Sequence, residues 1–249
     1  MSAAGREVLV TGGGRGIGRA IALRFAEAGA RVFVSFFVNR EAAEKTARDI
    51  ELVGGTAHLV QADIKEPAEI RKLFAEIEQT AGRLDVLVNN AASGVLKNAL
   101  DLSAKHWDWV MATNGRPVLL CAQEAAKLMT AGGRIISLSS LGSGRVIPGY
   151  AAVGVSKAAA EAVTRYLAVE LAPRGITVNT VCAGAVETDI WRMIPDGERL
   201  LEAARSRTPA GGLVTAEAVA DIVYFLAGPA GQPIQGQIIV ADGGYSLLA

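Results

Sequence analysis

The chain of 249 residues carries 25 acidic and 25 basic side chains, so its formal charge at pH 7 is zero. This balance does not point to nucleic acid or an anionic membrane as the main partner. Apolar residues make up 51% of the chain, enough for one large core. The N-terminus lacks a signal-peptide pattern, and no run approaches the roughly 20 apolar residues of a membrane span. We expect a soluble, cytoplasmic protein with a single domain over residues 1–249.

Short apolar runs alternate along the chain with longer segments of helical periodicity. Continuous apolar strands indicate a sheet covered on both faces, and alternation with helices indicates parallel pairing. The sequence therefore predicts an α/β fold, a Rossmann-type doubly wound sheet of about seven parallel strands with helices on both faces. The predicted strands are Glu7–Gly12, Arg31–Phe37, Ala57–Asp63, Leu84–Asn90, Gly133–Ser140, Ile176–Gly184 and Gln237–Gly244.

A glycine-rich loop follows the first predicted strand and opens the first helix. Gly12, Gly16 and Gly18 have the spacing T-G-x-x-x-G-x-G. Glycines there let the backbone approach a phosphate closely, and the helix N-terminus points its N–H groups at it. In this position between strand and helix, the loop predicts a dinucleotide site.

The end of the second strand bears on which dinucleotide binds. Positions 35–38 hold no carboxylate for an adenosine ribose diol, whereas Arg15 and Arg40 are placed to reach a 2′-phosphate. The sequence favours NADPH over NADH, although Arg40 can equally well only flank the next helix. Asp63 is expected to bond the adenine, and Asn89 to line the adenosine side of the cleft.

Cys121 and Cys182 have no metal-type spacing, and both are predicted to be buried thiols in apolar surroundings. Neither His58 nor His106 fits a catalytic triad or a metal cluster. We predict no metal site. After the sixth strand, residues 185–213 are predicted to form a substrate lid, with a simple surface excursion as the alternative.

With "TGGGRGIG", "NNAA", Asn114, "SLSS" and a tyrosine–lysine pair in this order, nearly the whole chain resembles the short-chain dehydrogenase/reductase family. The resemblance implies hydride transfer from NAD(P)H beside a Ser–Tyr–Lys–Asn constellation. Ser140, Asn114 and Lys157 match this set, and Thr188 matches a threonine that contacts the nicotinamide or the phosphates.

The tyrosine departs from the usual family pattern. The position four residues before Lys157 holds Val153, and Tyr150 stands seven residues before the lysine. On a helix both spacings put the hydroxyl on the lysine's face, but the longer one moves it about 4.5 Å along the axis. A hydroxyl further from the hydride donor suits an enoyl thioester, whose reacting C3 is two bonds further from the oxygen than the carbon of a ketone.

Tyr-x6-Lys is the pattern of enoyl-[acyl-carrier-protein] reductases within this family. The stretches "NNAASGVL", "YAAVGVSKAAAEAVTRYLAVEL" and "IIVADGGYSLL" look like the bacterial NADPH-dependent enoyl-ACP reductase III type. That type often carries arginine where this chain has Val38, which leaves Arg15, Asn39 and Arg40 as candidates for the 2′-phosphate. The usual Pro-Gly and Asn-Asn-Ala-Gly motifs are also changed, at Ala183 and Ala92.

The leading hypothesis is an NADPH-dependent enoyl-thioester reductase acting on acyl-ACP or acyl-CoA in fatty-acid or related biosynthesis. The resemblance also implies a homo-oligomer, either a tetramer or a dimer. We expect Tyr150 to stabilise the enolate oxygen, and Lys157 to hold the nicotinamide ribose and make the tyrosine more acidic. Ser140 would line the pocket, and Asn114 would anchor a water or brace its helix. The predicted catalytic residues are Tyr150, Lys157, Ser140 and Asn114. The predicted cofactor-binding residues are Gly12, Arg15, Gly16, Ile17, Gly18, Asn39, Arg40, Asp63, Ile64, Asn89, Ala91, Lys157, Gly184, Val186 and Thr188.

Two alternatives stay open. One is an NADPH-dependent carbonyl reductase acting on 3-oxoacyl or secondary-metabolite substrates. The other, motivated by Val153, is a nucleotide-binding sensor or scaffold that has lost redox chemistry.

Overall fold

The computed structural model of the chain describes residues 3–188 and 196–248. Within these residues, seven strands form one sheet in the order β3-β2-β1-β4-β5-β6-β7. Every pair of neighbours is parallel, as the sequence predicts. The strands are β1 Glu7–Thr11, β2 Arg31–Phe36, β3 Thr56–Gln61, β4 Val86–Asn89, β5 Gly133–Ser140, β6 Ile176–Ala183 and β7 Ile238–Ala241.

Helices cover both faces of this sheet. They are α1 Gly16–Glu27, α2 Arg40–Leu52, α3 Pro67–Ala81, α4 Ala104–Val110, α5 Arg116–Leu128, α6 Ala151–Leu171, α7 Gly197–Ser206 and α8 Ala216–Ala227. A π-helical turn, Met111–Gly115, joins α4 to α5 without a break. Such widened turns are often found at functional sites.

The core consists of two layers, one on each face of the sheet. Val8 and Val10 of β1 pack with α1 and α8, whereas Leu9 between them packs with α3 and α5. All three are fully buried. A strand covered on both faces has no solvent side, which explains why these strands read as unbroken apolar runs.

The strand order reverses direction between β1 and β4. Chain connections leave these neighbours towards opposite sides of the sheet, which opens a crevice at their carboxyl ends. The loops that follow β1, β3, β4, β5 and β6 all emerge at this edge. The fold therefore gathers most of the predicted site residues in one place.

The predicted lid, residues 185–213, lies partly outside the described residues. Its first part pairs with the chain beyond it, since Val186 forms a bridge with Val214, and its later part contains α7. Trp191, Met193 and Ile194, considered as lining for an acyl pocket, are not among the described residues. No helix in the described ranges is both long and apolar enough to cross a membrane.

Candidate active site

The glycine loop after β1 is shaped by close backbone contacts. A Cβ added to Gly18 would lie 2.3 Å from the carbonyl oxygen of Gly12, and one added to Gly12 would lie 2.9 Å from Ala91 Cα. Gly12 and Gly16 also adopt positive φ angles of 64° and 53°. Side chains at these positions would fill the space, here called the glycine cradle, that is formed by Gly12, Gly16 and Gly18. Because glycine has no side chain, the backbone N–H groups at the N-terminus of α1 stay accessible, and a pyrophosphate fits there.

Asn90 ties this loop to β4. Its Nδ2 donates to the carbonyl oxygens of Thr11 (2.9 Å) and Gly12 (3.1 Å). Thr11 Oγ1 in turn accepts from the backbone N–H groups of Asn90 and Ala91 at 3.0 and 3.1 Å. Sequence reasoning missed this role of Asn90, although the doubled asparagine of "NNAA" was its signal.

The arginines proposed for a 2′-phosphate lie near the loop. Arg15 is exposed at the N-cap of α1. Arg40 begins α2, lies over the Phe36 ring at 5.1 Å and donates to Gln61 Oε1 at 3.0 Å. Asn39 is the N-cap of α2, because its Oδ1 accepts from the N–H of Ala42 at 3.0 Å. Asn39 therefore already has a structural role.

Of the residues expected on the adenine side, Asp63 is partly exposed, whereas Ile64 and Asn89 are buried. Asp63 lies partly exposed after β3, with its Oδ1 accepting from the N–H of Lys65, and Ile64 next to it is buried. The side chain of Asn89 is only 7% exposed and points at Ser137 Oγ of β5, 3.5 Å away. Its side chain therefore packs between strands, and Asn90 is the asparagine that faces the loop.

The chain after β6 closes the other side of the crevice. Gly184 approaches β7 so closely that an added Cβ would lie 2.8 Å from Asp242 Cβ. Thr188 lies against the glycine loop, since a Cβ on Gly16 would be 3.5 Å from its Cγ2. Ile17 is half-buried at the start of α1, and Val186 is buried. These contacts bring the predicted cofactor residues of β1 and β6 together.

Tyr150 is the residue immediately before α6. Its carbonyl oxygen accepts from the N–H of Gly154 at 2.8 Å, so it already belongs to the first turn. Its hydroxyl lies near Ser140, at the end of β5, close enough for this serine to act on the pKa of the phenol. Its ring lies over Gly142, where an added Cβ would come within 2.5 Å of Cδ1.

Burial raises the pKa of Tyr150 above its usual value, and the nearby Ser140 only partly opposes this effect. The net shift is opposite to the more acidic hydroxyl expected beside Lys157, because burial is its largest cause and Lys157 is not among the groups that shift this pKa. The phenol stays protonated at neutral pH, as a hydrogen-bond donor must.

Lys157 lies inside α6, and the whole residue is only 7% exposed. Nζ donates to the carbonyl oxygen of Leu138 in β5 at 2.8 Å. Burial lowers the pKa of Lys157 to about 8, while Cys182 and Glu161 act in the opposite direction. Cys182 is buried as predicted, yet its surroundings include these charged groups and are not simply apolar.

Asn114 lies in the π-helical turn and is 3% exposed. Its Nδ2 donates to Ser93 O at 2.8 Å and to Ser156 Oγ at 3.1 Å, and its Oδ1 accepts from Ser93 N at 2.9 Å. Of the two roles considered, these contacts match bracing: Asn114 links the chain after β4 to α6.

Val153 occupies the usual tyrosine position and is buried. A Cβ on Gly94 would lie 2.4 Å from Val153 Cγ2, so the chain after β4 packs directly on this valine. Lys97 in the same segment forms a bridge with Tyr150. The segment after β4 thus covers position 153 and pairs with the residue that carries the hydroxyl.

Comparison with known proteins agrees with this fold. A family model described as "Enoyl-(Acyl carrier protein) reductase" matches residues 12–246. The 1-cyclohexenylcarbonyl-CoA reductase of Streptomyces collinus is 43% identical over 97% of this chain and 87% of that protein. The NADPH-dependent aldehyde reductase 2, chloroplastic, of Arabidopsis thaliana is 38% identical over 98% and 95%.

Among solved structures, a short-chain dehydrogenase from Burkholderia cenocepacia J2315 in complex with NADP superposes with a TM-score of 0.92. It is 38% identical, and the match covers 99% of this chain and 100% of that one. The chain therefore belongs to the short-chain dehydrogenase/reductase family of oxidoreductases.

The buried ammonium group of Lys157 gives a testable titration. Its ¹³Cε resonance, assigned by its loss in Lys157→Ala, should titrate in the protein without cofactor near pH 8. A model-peptide lysine titrates at about 10.4. A Lys157 resonance that titrates only above pH 10 would contradict the burial seen here.

Proposed function

We propose that this protein reduces the carbon–carbon double bond of an enoyl thioester with NADPH. The observation that carries this proposal is the position of Tyr150: about one turn before the usual site, beside Ser140 and at the N-cap of the helix that carries Lys157. Acyl-ACP and acyl-CoA both present the same thioester. The CoA substrate named for the Streptomyces relative supports this substrate class.

The residues present fit a nicotinamide dinucleotide. The glycine cradle exposes backbone at the N-terminus of α1, and Arg15 is an exposed guanidinium beside it. Arg40 lies across the same edge, at the start of α2. Guanidinium groups suit a 2′-phosphate, and the related NADP complex supports NADPH as the cofactor. When bound, NADPH supplies a hydride.

Tyr150 is proposed as the donor to the thioester oxygen. As C3 receives the hydride, negative charge moves to this oxygen and an enolate forms. A neutral phenol can donate a hydrogen bond to that oxygen, and burial keeps Tyr150 protonated. Ser140 is assigned to orient the phenol, and Lys157 is assigned to the nicotinamide ribose.

The other tyrosines are poorly placed for this role. Tyr166 is 73% exposed on α6, and Tyr224 packs on Phe25 with ring centroids 5.4 Å apart. Tyr245 follows β7 and stacks under Arg207. With Val153 at the usual position, Tyr150 is the tyrosine beside Ser140.

The displacement of the hydroxyl favours double bonds over ketones. From position 153 to 150 the axial rise is about 4.5 Å on a helix. In a ketone the carbon that accepts hydride is bonded to the oxygen, whereas C3 of an enoyl thioester is separated from that oxygen by two further bonds. In an enoyl thioester the oxygen therefore lies further from the nicotinamide than a ketone oxygen does. A tyrosine hydroxyl that is displaced in the same direction can still reach it.

Two wider expectations accompany the proposal. Residues 185–213 would cover the acyl chain as a lid, since Val186 and Thr188 lead from β6 past the cofactor cradle. We also expect a homo-oligomer. Large apolar side chains stand exposed on α6, with Tyr166 at 73% and Val169 at 76%, and a helical partner would cover them.

Cofactor choice can be tested at the two arginines. Replacing both Arg15 and Arg40 with alanine removes charge-assisted contacts to the 2′-phosphate, so the Kd for NADPH should rise by about 10-fold or more. The Kd for NADH should stay nearly constant, measured by nucleotide fluorescence. Arg48→Ala, an exposed arginine of α2, is the matched control. Equal weakening of both nucleotides would show that these arginines do not read the phosphate.

The role of Tyr150 can be tested by removing one oxygen atom. Tyr150→Phe keeps the ring against Gly142 but removes the donor, so kcat/KM with crotonyl thioester should fall by about 100-fold or more. NADPH affinity should not change. Tyr166→Phe, on the exposed face of the same helix, should behave as wild type.

The comparison of substrates decides between the proposed function and the alternatives. Wild-type protein with NADPH should consume crotonyl thioester and leave acetoacetyl thioester largely unreacted. Consumption of the acetoacetyl substrate alone would indicate a carbonyl reductase. NADPH binding without turnover of either would indicate a redox-inactive protein.

A further inference from the structure

A buried carboxylate lies one turn beyond Lys157 on α6. Glu161 is 8% exposed, and its Oε1 accepts a hydrogen bond of 2.5 Å from Ser139 Oγ. Ser139 directly follows Leu138, whose carbonyl oxygen holds Lys157. Two successive residues of β5 thus bind a lysine and a glutamate four residues apart, which share one face of the helix.

The groups that shift the pKa of Lys157 show which negative charge stabilises its protonated form. Burial lowers its pKa to about 8, and Cys182 and Glu161 oppose that effect. Cys182 of β6 acts only as a thiolate, and burial raises the pKa of its thiol to about 11. At neutral pH the thiol is uncharged, which leaves Glu161 as the stabilising charge.

The remaining titratable groups at this place lie around Cys182. Asp242, after β7, raises the pKa of the Cys182 thiol, and burial raises that of Tyr150 at the start of α6. β5 contributes to this face a carbonyl oxygen and the Ser139 hydroxyl, neither of which titrates near neutral pH. Asp242 carries a negative charge near pH 7, because its pKa is held below the usual value, but it acts on Cys182 and is not among the groups that shift the pKa of Lys157.

We propose that Glu161 is a positioning residue that keeps Lys157 charged and directed towards the cofactor. This inference depends on the proposed function only in that Lys157 binds the nicotinamide ribose. Glu161 is assigned no contact of its own with cofactor or substrate; it acts through the lysine, and the hydrogen bond from Ser139 fixes its orientation. A buried carboxylate with one hydrogen bond is costly, and a nearby ammonium group offsets that cost.

Glu161→Gln removes the negative charge of the side chain but keeps its hydrogen bond to Ser139 of β5. The amide oxygen still accepts the hydrogen bond from Ser139, whereas the negative charge is lost. Without it, the protonated form of Lys157 is less favoured, and its titration midpoint should fall by about one pH unit. The expected readouts are the Lys157 ¹³Cε titration and the pH dependence of NADPH affinity.

The pH profile gives a quantitative expectation. With the midpoint at about 8 in the wild type and about one unit lower in the variant, the charged fraction of Lys157 at pH 8 drops about fivefold. NADPH binding, and with it kcat/KM for the enoyl thioester, should weaken about fivefold at pH 8 and stay near the wild-type value at pH 6. A merely structural role would lower both by the same factor at both pH values.

The controls isolate the buried charge. Glu170→Gln removes an exposed carboxylate from the same helix and should leave the titration unchanged. If Glu161→Gln does not fold, the double variant Ser139→Ala, Glu161→Met removes the charge and both hydrogen-bonding partners together, which is the better tolerated change. It should show the same downward shift.

The outcomes distinguish this inference from the proposed function. An unchanged Lys157 midpoint in a folded variant lacking the Glu161 charge would overturn the inference, even if enoyl reduction is observed. A downward shift in the nucleotide-binding profile would support it, even if no enoyl thioester is turned over, because that readout needs NADPH alone.

Discussion

Burial of the Lys157 ammonium group between β5 and α6 is the constraint around which this edge of the sheet is organised. Removing the charge from water is costly, and the Leu138 carbonyl oxygen and the nearby Glu161 carboxylate offset that cost. Such contacts need α6 close to β5. A Cβ on Gly154 would lie 2.5 Å from Gly142 O, so glycine permits this approach. The same approach brings Tyr150 over Gly142 and beside Ser140.

The position of the phenol follows from how the chain after β4 packs. Gly94 rests on Val153, and Asn114 fixes Ser93 through both its amide atoms. A tyrosine at 153 would meet this segment, whereas position 150 lies at the end of the helix, next to Ser140. The shift from Tyr-x3-Lys to Tyr-x6-Lys is therefore supported by contacts from three parts of the chain, and it is the basis for proposing reduction of a double bond.

The sequence predicted the fold and the conformation of the glycine loop well, because apolar runs and glycine spacing are local signals. Strand ends were right to within a few residues, and Gly12, Gly16 and Gly18 form the expected cradle. The features that the sequence missed or predicted wrongly depend on contacts between residues that are far apart in the sequence. Asn90 binds the loop after β1, Glu161 binds β5, and burial reverses the expected effect on the Tyr150 pKa. No local pattern carries these contacts, since they exist only once the sheet is assembled.

The most direct test of the central claim follows the hydride itself. NADPH carrying deuterium at both C4 positions of the nicotinamide is incubated with crotonyl thioester in ordinary water, and the product is examined by NMR. The account predicts butyryl thioester with deuterium at C3 and solvent hydrogen at C2. Absence of label at C3, together with deuterium on the alcohol carbon when acetoacetyl thioester is supplied, would contradict it.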